Sequence, residues 1–129
     1  YENYHYIRER IPFRKHPAGR TVGTFTDFDS LDDKMDPLYY YMQFIKFGFG
    51  RAVRDASRLI QNGHMSRGEG LSLASKYDSE FPHEFFDEVL EYLGMDEGAF
   101  HETVDKHRNR EIWEKTGSGW RLRYPLPEN

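Results

Sequence analysis

The chain has 129 residues, one modest domain by the prior of roughly 100–200 residues per domain. Asp and Glu (22) outnumber Lys and Arg (18), and this net charge of -4 argues against a generic nucleic-acid binder; zero cysteines exclude disulfide scaffolds, cysteine-held zinc and thiol catalysis. Aromatics make up 16% of the chain against 37% hydrophobic residues in total, which predicts a folded protein whose core is Phe and Tyr more than Ile and Val.

Residues 1–20 carry Arg8, Arg10, Arg14, Lys15 and Arg20 against Glu2 and Glu9, net +3. Residues 21–36 carry Asp27, Asp29, Asp32, Asp33 and Asp36 against Lys34, net -4. The first stretch has no helical period and is punctuated by Pro12, Pro17 and Gly19; Thr21 to Phe28 alternates loosely and suits one short strand. Residues 1–35 therefore read as an extended arm and acidic segment, expected to dock on a further domain or another subunit, because structureless stretches of that length are rare within a domain.

Residues 36–109 read as a helical domain. Asp36 is a suitable N-cap with Pro37 behind it, and Leu38, Tyr41, Met42 and Ile45 follow at helical spacing. After Gly48 and Gly50 a second helix runs from about Arg51, with Ala52, Ala56, Leu59 and Ile60 on one face, to a left-handed stop at Asn62-Gly63. Ser66 and Glu69 form a capping box for a third helix carrying Leu71, Ala74 and Tyr77. Phe81-Pro82 opens a fourth, with the stripe Phe85, Phe86, Val89, Leu90 and Leu93 ending at Gly94, and Asp96 caps a fifth with Phe100 and Val104. Residues 110–129 read as a β-hairpin around Thr116-Gly117-Ser118-Gly119 and a tail. The expected fold is mainly α: about five short helices, preceded by the arm and followed by the hairpin.

Two motifs bear chemistry. Asp27-x-Asp29-x-x-Asp32-Asp33 offers hard oxygens suited to magnesium with phosphates completing the shell, or else turn-capping carboxylates before a helix. Lys46-Phe47-Gly48-Phe49-Gly50-Arg51 offers backbone amides before a helix, flanked by two cations, as an anion cradle; otherwise it is a helix–helix bend with its aromatics in the core. The six histidines form no ligand pair, and no nucleophile elbow or phosphate loop occurs. No apolar run approaches the roughly 18 residues of a membrane span, so no membrane partner is expected. The chain begins at Tyr1 and reads as a soluble piece of a longer protein.

Several blocks in order carry a resemblance. They are Gly23-Thr24-Phe25-Thr26-Asp27-Phe28-Asp29-Ser30-Leu31-Asp32-Asp33-Lys34, Tyr41 through Lys46-Phe47-Gly48-Phe49-Gly50-Arg51-Ala52, Asp55-Ala56-Ser57, Asn62-Gly63-His64, Lys76-Tyr77-Asp78, Glu80-Phe81-Pro82 and Trp113-Glu114-Lys115. Over about residues 20–124 the chain resembles the C-terminal third of the N-acetyl sugar amidotransferases of bacterial lipopolysaccharide and nonulosonate biosynthesis. It departs at Val53, Gly68 and Ser79, where the family favours Thr, Glu and Gly, and residues 1–19 match poorly.

The resemblance implies a parent enzyme with an N-terminal PP-loop domain, absent from these residues. ATP and magnesium serve that enzyme, and neither is expected on this chain alone. The acetamido oxygen of a nucleotide-linked sugar is adenylated, and ammonia from a glutaminase-type subunit displaces AMP to leave an acetamidino group. The implied substrate- or nucleotide-facing residues are Asp32, Asp33, Lys34, Lys46, Arg51 and Asp55, with Asp32 and Asp33 as candidate magnesium ligands. The PP-loop domain, the glutaminase and a second copy are the implied partners, in the cytoplasm and without nucleic acid. The alternative is a helical interaction module with no chemistry of its own, docking the glutaminase or a second copy.

Overall fold

In the computed structural model, which describes residues 1–127, the elements in chain order are α1 (Glu2–Arg8), α2 (Asp36–Phe47), α3 (Arg51–Gln61), α4 (Arg67–Tyr77), α5 (Phe86–Leu93), α6 (Glu97–His107), β1 (Trp113–Thr116) and β2 (Gly119–Leu122). The fold is mainly α with a C-terminal antiparallel hairpin, as the sequence predicts. In the hairpin Trp113 faces Leu122 and Glu114 faces Arg121.

The main core gathers Leu38, Phe44 and Ile45 of α2, Phe86, Val89 and Leu90 of α5, Phe100 and Val104 of α6, and Trp113 of β1. Its aromatic rings meet edge to face: Phe86 with Phe100 at 5.0 Å and Phe44 with Trp113 at 5.2 Å. The Trp113 indole N–H donates to the Ile45 carbonyl at 2.6 Å, which satisfies the one polar atom this ring brings into the core. α3 packs on α4 through smaller residues, Ala52, Ala56 and Ala74.

Helix ends follow the expected chemistry at α4 and α6. Ser66 Oγ accepts from the Glu69 amide while the Glu69 carboxylate accepts from the Ser66 amide, and Asp96 accepts from Ala99 at 2.8 Å. Three expectations are corrected. Met35, not Asp36, is the N-cap of α2; Asp36 lies inside the first turn, and the Asp33 carboxylate accepts from the Met35 amide at 2.7 Å. α5 starts at Phe86 rather than at Phe81-Pro82, because turn bonds from His83 to Phe81 and from Phe86 to His83 occupy the approach. Thr21 to Phe28 forms no strand: the Thr21 amide donates to the Thr26 carbonyl at 2.9 Å, closing a loop.

The N-terminal stretch also holds a sixth helix, α1, which has no apolar period because Tyr4 alone is buried in it. Tyr4 stacks on Phe28 at 4.0 Å and fastens α1 to the loop that follows.

Candidate functional site

Residues 20–34 lie over α3 and are held there almost entirely by polar contacts. Thr24 is wholly buried, and its hydroxyl donates to Asp55 Oδ2 at 2.7 Å. One turn before Asp55 on the same helix face, Arg51 is only 1% exposed. Its Nη2 donates to the Asp29 carbonyl at 2.6 Å and lies 3.6 Å from Asp29 Oδ2, while its Nε lies 3.8 Å from Asp55 Oδ2. Arg54 completes the cluster, with Nε 3.7 Å from Asp55 Oδ1 and Nη2 4.0 Å from Asp29 Oδ2. The Tyr40 ring lies 4.7 Å from one guanidinium and 4.6 Å from the other. Its hydroxyl meets Ser30 Oγ at 3.1 Å, and Ser30 has a left-handed φ of 54°. Two cations and two carboxylates thus balance, with Arg51 and Asp55 enclosed and Arg54 and Asp29 reaching solvent at the rim.

Two further contacts fasten the same loop. The Arg20 guanidinium grips Glu80 at 2.7 and 2.5 Å, and the Gly23 amide donates to Glu80 Oε2 at 2.9 Å. Burial pushes the Glu80 carboxyl up, but Arg20 and the Gly23 amide outweigh it and hold the group below its ordinary value. Asp78 is buried at the start of α3, accepting from the Gly50 amide at 2.6 Å and from Val53 at 3.1 Å. Burial pushes its carboxyl above the ordinary value against the pull of these backbone donors.

Asp78 therefore supplies the anion at the Gly48–Arg51 turn: the amides that offer an anion cradle hold the protein's own carboxylate. The aromatics of that motif are not in the core. Phe47 and Phe49 are exposed and stack on each other at 6.1 Å, because the left-handed Gly48 turns the chain outward beneath Ile112 and Leu122 of the hairpin.

The six sequence-derived residues fall into three places. Arg51 and Asp55 are together and enclosed, so an outside phosphate reaches Arg51 only through rearrangement. Asp32, Asp33 and Lys34 are exposed just before α2, where Lys34 Nζ pairs with Glu88 at 2.6 Å. Lys46 is exposed in the last turn of α2, beyond about 16 Å of helix from Met35 at 1.5 Å per residue. Among the described residues no group of three His, Cys, Asp or Glu is placed to hold a metal ion. Asp32 and Asp33 by themselves do not make a magnesium site, and one Asp33 oxygen already accepts from Met35.

Thr24, Asp29, Tyr40, Arg54, Asp78 and the Arg20–Glu80 pair are absent from the sequence-derived set. The one signal available was the i, i+4 spacing of Arg51 and Asp55 with Arg54 beside it, on a helix whose apolar face is narrow.

Residues 22–125 match the model of the family described as LPS biosynthesis protein WbpG-like, C-terminal domain, and the chain belongs to that family. The match takes in the latched loop from residue 22, all helices from α2 onward and the hairpin. No curated protein matches the chain. No helix among the described residues is long and apolar enough to cross a membrane.

Proposed function

We propose that this chain is the C-terminal part of an ATP-dependent amidotransferase that converts an acetamido group of a nucleotide-linked sugar to an acetamidino group. The observation that carries the reading is the family match, which spans the acidic loop together with the buried residues that fix it. An amide oxygen is a poor leaving group. Transfer of AMP to it, with release of pyrophosphate, makes a good one, and ammonia then displaces AMP. ATP and magnesium belong to a PP-loop domain and ammonia to a glutaminase-type partner.

On this reading the chain's own contribution is placement. Arg51 and Arg54, themselves paired with Asp55, hold Asp29, and with it the run to Asp32, Asp33 and Lys34, in one geometry against α3. The exposed Asp33 and Lys34 are then presented to the sugar or its phosphates, and positioning of this kind is worth large factors in rate. Lys46 stands at the far end of α2 and meets a different part of the assembly. The second reading, a docking module without chemistry, draws on the exposed Phe47–Phe49 pair.

The test uses the full-length parent with ATP, magnesium, a nucleotide-linked N-acetyl sugar and ammonia. AMP and acetamidino sugar should form in equal amounts, and Asp33→Asn should slow turnover. Absence of sugar-dependent AMP release would sink the reading. Retention of the glutaminase by this chain alone, with Asp33→Asn silent, favours the docking module.

A further inference from the structure

The N-terminal arm leaves an apolar strip uncovered. Turn bonds from the Arg10 and Ile11 amides to the Ile7 carbonyl continue α1 by about one turn. Ile7 and Ile11 are thereby neighbours, as are Tyr6 and Arg10. Tyr6 is 60% and Ile11 56% exposed, with Ile7 exposed beside them. The rest of the arm is pinned to the body of the protein. Tyr4 stacks on Phe28, Lys15 Nζ pairs with Asp27 at 2.8 Å, and the His16 amide donates to the Asp27 carbonyl at 2.7 Å. The strip is thus held in place on the surface, and an apolar strip so placed marks a docking face.

The free charge around the strip is positive. Lys15 and Arg20 are paired with Asp27 and Glu80. Arg8 and Arg14 are exposed and form no ion pair among the described residues, and Arg10 has only the exposed Glu9 at 3.9 Å. A partner for this face needs unanswered carboxylates beside exposed aromatic or aliphatic side chains.

This chain carries such a surface itself. Residues 80–105 hold nine Asp and Glu and no Lys or Arg. Glu80, Glu88 and Asp105 are answered by Arg20, Lys34 and Arg108. Glu84, Asp87, Glu91 and Glu102 are exposed and form no ion pair among the described residues. Asp87 and Glu91 stand one turn apart on α5, and Tyr92 and Leu93 close the same helix at 79% and 44% exposure. No hydrogen bond or ion pair among the described residues joins Arg8, Arg10 or Arg14 to α5 or α6, so the match is open between molecules.

We propose that the arm docks on α5 of a second copy of this chain, Arg10 and Arg14 meeting Asp87 and Glu91, and Ile7 and Ile11 meeting Tyr92 and Leu93. Every copy offers both surfaces. Reciprocal exchange of arms about a two-fold axis gives a closed pair, the commonest symmetry of soluble oligomers. Docking of this kind needs no chemistry, so it stands or falls apart from the amidotransferase reading.

Sedimentation equilibrium of this chain is the test. At low salt the mass should rise from one chain toward two between about 1 and 100 μM, as suits a small and polar interface. At about 0.5 M salt, where charges act over only a few ångströms, association should weaken by about tenfold or more. Arg10→Glu with Arg14→Glu should weaken it by about tenfold or more, and so should Asp87→Lys with Glu91→Lys, because like charges then meet. An equal mixture of these two double variants should associate about as tightly as the unmodified chain. In the mixture the acidic arm of the first meets the lysines of the second, and the basic arm of the second meets the untouched α5 of the first. All four positions are exposed, which keeps the folded core out of the comparison. Tyr92→Ala, also at an exposed position, should weaken association by about threefold or more at either salt concentration. A chain that stays single at about 100 μM and low salt overturns the proposal and leaves the arm to an upstream domain. Association unmoved by reversing the arm overturns it too, as does a mixture no tighter than either double variant alone.

Discussion

The half built from α2, α5, α6 and the hairpin and the half built from residues 20–34 on α3 and α4 are closed by different forces. The first buries nine apolar residues, eight of them aliphatic or Phe side chains of α2, α5 and α6, around edge-to-face rings. The second buries Thr24, Arg51, Asp55 and Asp78, with only Ala52, Ala56, Leu59 and Ala74 as apolar support on α3 and α4. Apolar burial is non-directional and loses stability in proportion to area. A buried ion cluster is directional, and loss of one partner strands the other in a site without water. The aromatic half should therefore yield gradually to substitution, and the latched half abruptly.

The largest effects should come from one substitution in each half. Arg51→Ala leaves the buried Asp55 with Arg54 as its remaining cation and should cost about 3 kcal/mol in denaturant unfolding. The loss should appear first as faster amide exchange in residues 21–34. Phe86→Ala, in the other half, should cost about 3 kcal/mol through the cavity it leaves. Its exchange should rise across α2, α5 and α6 together. If Arg51→Ala loosened the aromatic core as much as the loop, the two halves would be one unit and the contrast would fail.

Gly48→Ala tests the joint between them. Gly48 has a φ of 77°, and an added Cβ would meet Ile112 Cγ2 at 2.7 Å. The strain and the clash together should cost about 2 kcal/mol, read as a lower midpoint in thermal unfolding.

Acid titration separates two carboxylates of the latched half by sign. Glu80 sits below its ordinary value in the fold, so the unfolded chain takes up its proton first. Its contribution is present above the ordinary carboxylate range and is lost as pH falls through the folded value. Asp78 sits above its ordinary value, so the folded chain holds its proton more tightly. Stability from this group falls as pH rises from the ordinary value through the raised one. In melting temperature against pH, Glu80→Gln should flatten the loss on the acid side. Asp78→Asn should flatten the decline on the rising side, and identical slopes for the two variants would contradict both assignments.

The aromatic half was legible in the sequence because helical periodicity, the cap at Asp96 and the glycine stops at Gly48 and Gly94 are local signals. Its errors were errors of boundary: Pro82 is buried in a turn before α5, where a proline at a helix start reads the same way. In the latched half α3 and α4 were legible in the same way, through the Asn62-Gly63 stop and the capping box at Ser66, but the loop over them was legible only as composition. Asp29 and Arg51 are 22 positions apart, Thr24 and Asp55 are 31 apart, and Arg20 and Glu80 are 60 apart. Long-range polar pairing has no period to betray it, so the acidic segment read as part of an extended arm that docks on a further domain or another subunit. Arg51 likewise read as a surface cation beside a glycine turn, since a helix N-terminus does not announce that Asp78 already occupies it.

The smallest stability effect should separate what holds the loop from what the loop displays. Lys34 pairs with Glu88 at 2.6 Å, but the two side chains are 58% and 60% exposed. Exposed pairs of this kind contribute about 0–1 kcal/mol, so Lys34→Ala should barely move the unfolding midpoint. Its amide exchange pattern should match that of the unmodified chain, because the latch at Arg51, Arg54 and Asp55 does not involve it. In the full-length parent the same substitution should lower turnover on the sugar, because Lys34 stands at the exposed end of a loop whose position the buried charges have already set. A variant that is as stable as its parent and slower in turnover assigns Lys34 to the displayed surface. A variant with unchanged turnover would leave the latch serving stability alone.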